Sequence, residues 1–315
     1  MLESAAERAR ASAEVPMVVR AETGDLVAIV TPADPGAPPA GLCVVHLTRP
    51  RSHRNRNWVF GARWLAARGF SACRFDYHGN GDSAGENGFL DPSLPNSADL
   101  MAVLRALRAR DPSSRFILTG NCFDARTALA AFLHEPSWIA GLAFLSAPVM
   151  SLEAMHEMRT TGGQWGGVWQ AVQNPENWKR IADPSLWKNV ESRLRGAVGG
   201  GAEPGEPGGG PALDPGFVSA FEALAASGAR ALIVYGAQDQ ELLTFRPVVD
   251  RLLPALPPGP RARIELEIWP GEVHDGFNRL DRQQQIVDRV LDWVAAFHPA
   301  ATPASASPND SASRA

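Results

Sequence analysis

From Leu42 onward, short apolar runs alternate with segments whose apolar residues recur at helical spacing, and this alternation constrains the fold more than any other feature. Leu42–Leu47, Phe70–Phe75, Phe116–Thr119 and Ile139–Leu145 read as strands, the first a continuous apolar run. Trp58–Arg68 (with Trp58, Phe60, Trp64 and Leu65 as its apolar set), Ser97–Arg108 and a segment running through Leu133 read as helices, with Ser97 as an N-cap. The pattern resumes with helix Phe217–Ala226, strand Ala231–Tyr235, helix Arg246–Leu253, strand Arg263–Trp269 and helix Arg282–Phe297. Repeated strand and helix in this order predicts a mostly parallel sheet covered by helices on both faces. Upstream, Val15–Ala21 and Leu26–Thr31 flank Glu22-Thr-Gly-Asp25 and read as a β-hairpin turning at Gly24.

Two stretches break the alternation. Residues 149–195 hold Trp165, Trp169, Trp178 and Trp187, four of the nine tryptophans, with no clear strand. In Gly196–Gly216, 13 of 21 residues are Gly or Pro, a composition that cannot build a core. The expected organisation is an N-terminal extension (1–14), the first part of an α/β core (15–148), a helical cap with its Gly/Pro-rich linker (149–216), the second part of the core (217–298) and an Ala/Ser/Pro-rich disordered tail (299–315).

Composition narrows the function classes. With 30 Lys+Arg against 34 Asp+Glu the chain carries −4, which argues against a general nucleic-acid binder. No run of about 18 apolar residues suggests a membrane span, and the first residues, Met1 to Pro16, lack the apolar core of a secretory signal. Cys43, Cys73 and Cys122 give neither a disulfide framework nor a zinc pattern, so a cytoplasmic protein with free thiols is the simplest expectation. His46, His78, His134 and His156 have no metal-ligand spacing, so no metal is expected.

The chemistry concentrates in three loops. In Phe116-Ile-Leu-Thr-Gly-Asn-Cys-Phe-Asp-Ala125 an apolar strand runs into Gly120, then Cys122, then at once a helix, the pattern of a nucleophile elbow. A helix N-terminus beneath Cys122 would favour a thiolate, and an inert core cysteine is the competing reading of this segment alone. Gly236-Ala-Gln-Asp-Gln240 places Asp239 after the next-to-last strand, and Gly271-Glu-Val-His-Asp-Gly276 places His274 after the last. Parallel strands bring all three loops to one sheet edge, where ligands bind. Asp275 is the competing acid, but neighbouring residues in a loop point apart.

On these residues the chain resembles the α/β-hydrolase superfamily, whose members carry nucleophile, acid and histidine in this chain order. Phe75-Asp-Tyr-His-Gly-Asn-Gly-Asp-Ser-Ala-Gly85 is similar to the Asp-x-x-Gly-x-Gly-x-Ser segment of many members, and the Trp-rich insertion sits where the superfamily places its cap. Two departures stand out: Cys122 replaces the usual Ser, as in dienelactone-hydrolase-like and thioesterase-like members, and Asp124 replaces the closing Gly of the elbow. The resemblance implies a Cys122–His274–Asp239 triad. It also implies an oxyanion hole made by the backbone N–H of Phe123 and one from Leu47 or Thr48, and it implies no cofactor.

The implied activity is hydrolysis of a small-molecule ester or thioester through an acyl-cysteine. An acyltransferase or cyclase, passing the acyl group to an amine, alcohol or thiol, is one alternative. A non-catalytic relative that binds a ligand or carrier protein is another. Arg49, Arg51, His53, Arg54 and Arg56 crowd the loop beside the implied oxyanion donors. Arg51 and Arg54 there read either as an anion site, for a substrate carboxylate, a CoA-type phosphate or an acyl carrier protein, or as a solvated loop. Trp165 and Trp169 read either as an acyl pocket or as the cap's own core. Gly79-Asn-Gly-Asp-Ser-Ala84 matches a dinucleotide fingerprint, but the glycines and prolines that follow open no helix to hold a pyrophosphate, which leaves Asp82 as a loop-ordering residue.

Overall fold

The computed structural model describes residues 14–85, 96–149, 214–274 and 279–297. The chain divides into two compact units, one of residues 1–148 with 216–315 and the other of 149–215. Nearly all described residues belong to the first. Trp165, Trp169, Asp275, the Arg54 side chain and the tail from Pro299 lie outside the described residues.

Eight strands form one sheet: β1 Val15–Ala21, β2 Gly24–Thr31, β3 Leu42–Leu47, β4 Ser71–Phe75, β5 Arg115–Asn121, β6 Ile139–Leu145, β7 Arg230–Gly236 and β8 Ile264–Trp269. Their spatial order is β1-β2-β4-β3-β5-β6-β7-β8. β1 and β2 pair antiparallel through a turn at Glu22 and Thr23, with Gly24 already the first residue of β2 at φ 121°. β2 is antiparallel to β4, and every later pairing is parallel. The expected mostly parallel sheet is therefore present, and β6 has the bounds read from its apolar run.

The helices are α1 Asn57–Ala66, α2 Ser97–Arg110, α3 Phe123–His134, α4 Pro215–Ala226, α5 Gln240–Ala255, a single turn α6 Pro258–Arg261, and α7 Leu280–Ala295. Strand alternation sends Val44, Ile117, Ala143, Leu145, Leu232 and Val234 to one face. There they meet Trp58 and Leu65 of α1 and Ile286, Val290, Leu291 and Trp293 of α7 in one buried cluster. Burying side chains of this size contributes about 1.5–3 kcal/mol each, before entropy is counted.

Two local expectations need correction. Phe60 is not part of the apolar face of α1: it is 42% exposed, under the Arg56 guanidinium at 6.0 Å. Ser97 is the first helical residue of α2 rather than its N-cap; Asn96 holds that position, and its N–H donates to Thr127 Oγ1 of α3 at 3.1 Å. Packing against α3, not a hydroxyl cap, sets where α2 begins.

β7 ends at Gly236, and the loop after β8 crosses directly over it. A Cβ on Gly236 would lie 2.4 Å from the Gly271 carbonyl oxygen and 2.5 Å from the Val273 nitrogen, both backbone. Backbone cannot swing aside as a side-chain tip can, so Gly236→Ala should destabilise the fold by about 1–3 kcal/mol. Urea denaturation checks this; an unchanged midpoint would mean that the crossing is not tight.

Candidate active site

The three chemistry-bearing loops meet at the carboxyl edge of the sheet. At the end of β5, Gly120 is pressed against the start of α3: a Cβ there would lie 2.7 Å from Ala125 N and from the Asp124 carbonyl carbon. Only glycine admits so close a crossing. Cys122 follows at φ 53°, ψ −125°, and α3 starts at the next residue. Its N–H donates to the Leu145 carbonyl at 2.8 Å, tying the turn to the end of β6, and its carbonyl accepts from Ala125 N at 3.1 Å. A non-glycine residue in this region costs about 1–3 kcal/mol and persists only where its surroundings impose it. The Phe123 N–H, at the start of α3, favours negative charge on the Cys122 sulfur. On the other side, the parallel register of β3 and β5 sets Leu47 beside Gly120, so buried Leu47 and Thr48 stand level with the elbow.

Asp239, 4% exposed, follows β7 and precedes α5. Its Oδ2 accepts from Gly236 N at 2.6 Å and Ser146 Oγ at 2.5 Å, and its Oδ1 accepts from Val273 N at 2.9 Å and His274 N at 3.1 Å. The carboxylate thus grips the backbone of the histidine loop. Sequence reasoning missed Ser146, a buried residue at φ 49° just past β6, because a lone serine after an apolar strand carries no signal. It also missed Glu241, whose charge acts on Cys122 and on the Tyr235 hydroxyl.

The electrostatics overturn one expectation. The N-terminus of α3 and the Arg49 guanidinium do favour a thiolate, but burial, then the Glu241 and Asp124 carboxylates, outweigh them. The Cys122 thiol is pushed up to about 12 and rests protonated. Cys43 and Cys73 are buried in the core with thiols raised by the same desolvation.

Asp124 occupies the closing position of the elbow without blocking it, because its side chain turns into a buried cluster. Arg49 Nη2 lies 3.5 Å from Asp124 Oδ1, the Arg49 guanidinium covers the Tyr77 ring at 4.7 Å, and the buried Tyr77 hydroxyl interacts electrostatically with the Asp124 carboxyl. Burial outweighs Arg49 and lifts the carboxyl from 3.8 to about 6.

Arg51 does not serve as a free cation. Its guanidinium bridges Asp76 and Asp82, the latter at 2.5 Å, and its N–H bonds Asp76 Oδ1 at 2.8 Å. That pairing fixes the loop after β3, removes Arg51 from the candidate anion contacts and gives Asp82 the loop-ordering place read for it. His46 is buried, stacks on Trp58 at 4.4 Å and bonds Thr119 Oγ1 at 2.9 Å; burial, with Arg74 and His53 nearby, drives it down to about 3 and keeps it neutral.

Residues 43–177 match the family model described as serine aminopeptidase, S33. No curated protein matches the chain. Among solved structures, proline iminopeptidase of Mycobacterium smegmatis is similar at 16% identity and TM-score 0.53, over 90% of this chain and 98% of that one. A thermostable carboxyl esterase from Bacillus coagulans is similar at 12% identity and TM-score 0.56, over 90% and 99%. The Pyrococcus furiosus esterase Pf2001 is similar at 14% identity and TM-score 0.54, over 90% and 92%.

Two measurements test the charge balance. Alkylation of Cys122 by iodoacetamide should rise about tenfold per pH unit from about pH 8 to about 10 without a plateau, and Glu241→Gln should speed it at every pH. A plateau near neutrality would reveal a thiolate–imidazolium pair instead. For Asp124, between 3.8 and about 6 the folded chain keeps a proton that the unfolded chain has released, so stability falls as pH rises through that window. Asp124→Asn should gain about 3 kcal/mol on wild type between about pH 4 and about pH 7 in urea denaturation. A constant difference would show that the carboxyl titrates normally. The strand order, the elbow after β5 and the loops after β7 and β8, together with these likenesses, establish that the chain has the α/β-hydrolase fold.

Proposed function

We propose that the chain is an acyl hydrolase that cleaves a small-molecule ester or thioester through an acyl-cysteine on Cys122. The observation that carries this reading is the elbow itself: a cysteine held at φ 53° between β5 and α3, at the N-terminus of that helix. Strain of this kind has no packing purpose, since glycine would relieve it at once. Support for hydrolysis comes from the serine aminopeptidase likeness and the two esterases, whose names describe those proteins.

In this reading His274 accepts the thiol proton as Cys122 Sγ attacks the carbonyl carbon. A resting protonated thiol makes the transfer part of the attack rather than a step before it. The carbonyl oxygen, now anionic, is held by the Phe123 N–H and a second N–H from Leu47 or Thr48. The C–O or C–S bond to the leaving group breaks, and the leaving group takes the proton from His274. Water then attacks the acyl-cysteine, giving its proton to His274, and that proton returns to sulfur as the acid departs. Asp239 acts by fixing the loop that carries His274.

Intact-protein mass spectrometry after exposure to a panel of acyl thioesters and activated esters tests the proposal. Wild type should gain one acyl mass that decays in water, and Cys122→Ala should gain none. Decay only on adding an amine would identify a transferase, and no adduct with any acyl group would favour the binding-protein alternative. Cys122→Ala and His274→Ala should each lose about 10⁴-fold or more in turnover, and Asp239→Asn less.

A further inference from the structure

Away from Cys122, the loop after β3, the strands β2 and β4 and helix α1 line a cleft of about 470 Å³. Four arginines line it, Arg51, Arg56, Arg63 and Arg74, against the carboxylates of Glu14 and Asp76. Arg51 is satisfied by Asp76 and Asp82. Arg74 is not. It is 4% exposed on β4, and among the described residues its guanidinium has one acceptor, Glu14 Oε1 at 3.1 Å, while its buried Nε has none.

A buried guanidinium with five donors and one acceptor forfeits hydration that it does not recover. The same Glu14 oxygen also accepts from Arg63 Nε at 3.1 Å. Both contacts are long for charge-assisted bonds, which run about 2.7–2.9 Å. A single carboxylate oxygen divided between two forks is a poor fit for either. With Glu14 displaced, the four arginines would face only Asp76 and Asp82, a surplus of two positive charges around a space large enough for a small molecule.

We propose that this cleft is a binding site for a phosphate group, in which the phosphate replaces Glu14 between Arg63 and Arg74. A phosphate dianion matches the surplus charge and offers several acceptor oxygens to forks that now share one. Glu14 is then an internal competitor that occupies the site until a phosphate arrives. Because Pro50 and Arg51 line the cleft and continue from Leu47–Arg49, occupancy would bear on the loop beside the elbow. The site itself does not depend on the reading of Cys122.

Isothermal titration calorimetry of the full chain at constant pH and ionic strength tests it, with inorganic phosphate, glycerol phosphate and succinate as probes. Wild type should bind one equivalent of at least one phosphate probe, and the tighter of the two distinguishes free phosphate from a phosphomonoester. Glu14→Gln should tighten binding about threefold or more by removing the competitor, and Arg63→Ala, on the half-buried face of α1, should weaken it about tenfold. Cys122→Ala should bind as wild type does. Absence of binding in both wild type and Glu14→Gln, or binding indifferent to Arg63→Ala, would overturn the site. Loss in Cys122→Ala would move the phosphate to the elbow, and succinate binding as tightly would overturn the phosphate assignment.

Discussion

The Asp239 carboxylate joins what the sheet alone leaves separate. Parallel strands deliver β6, β7 and β8 to a common edge, but nothing in strand pairing fixes the loops beyond it. Asp239 does so by accepting four bonds, from Ser146 past β6, Gly236 at the end of β7, and Val273 and His274 past β8. A carboxylate this deeply buried is tolerable only when its lone pairs are filled, so the charge and the loops hold each other in place. Asp239 also sits at the N-cap position of α5 without capping it by its side chain, because its oxygens are committed elsewhere.

The elbow shows the opposite balance, in which charges compete rather than cooperate. Sequence reasoning weighed only the helix N-terminus at Cys122, which favours a thiolate. The three-dimensional surroundings add desolvation and two carboxylates, and these prevail. Asp124 occupies a position usually left to glycine because Arg49 and Tyr77 receive its side chain. The substitution is thus tied to the residues just after β3 and β4, far away in sequence.

Much of this fold was legible beforehand because its signals are local. A continuous apolar run gave β6 its bounds, and Gly-x-Cys before a helix marked the elbow. The positions of Asp239 and His274 followed from counting strands. What escaped depended on contacts between distant segments. Ser146 and Glu241 are ordinary residues until the sheet brings them to Asp239 and Cys122. Arg51 looked like a free cation until folding set Asp76 and Asp82 beside it. The N-cap of α2 is Asn96 rather than Ser97, and its N–H is held by Thr127 on another helix.

A thiol kept protonated at rest is also a thiol kept from peroxide. Oxidation to sulfenic acid proceeds through the thiolate, and cysteines that sense or suffer oxidation are those with low pKa and open access. Cys122, half-buried, has the reverse of a low pKa: its proton is held in place by desolvation and by the charges of Glu241 and Asp124. Under the proposed mechanism, the same electrostatics that defer ionisation to the moment of attack would also slow reaction of this cysteine with peroxide.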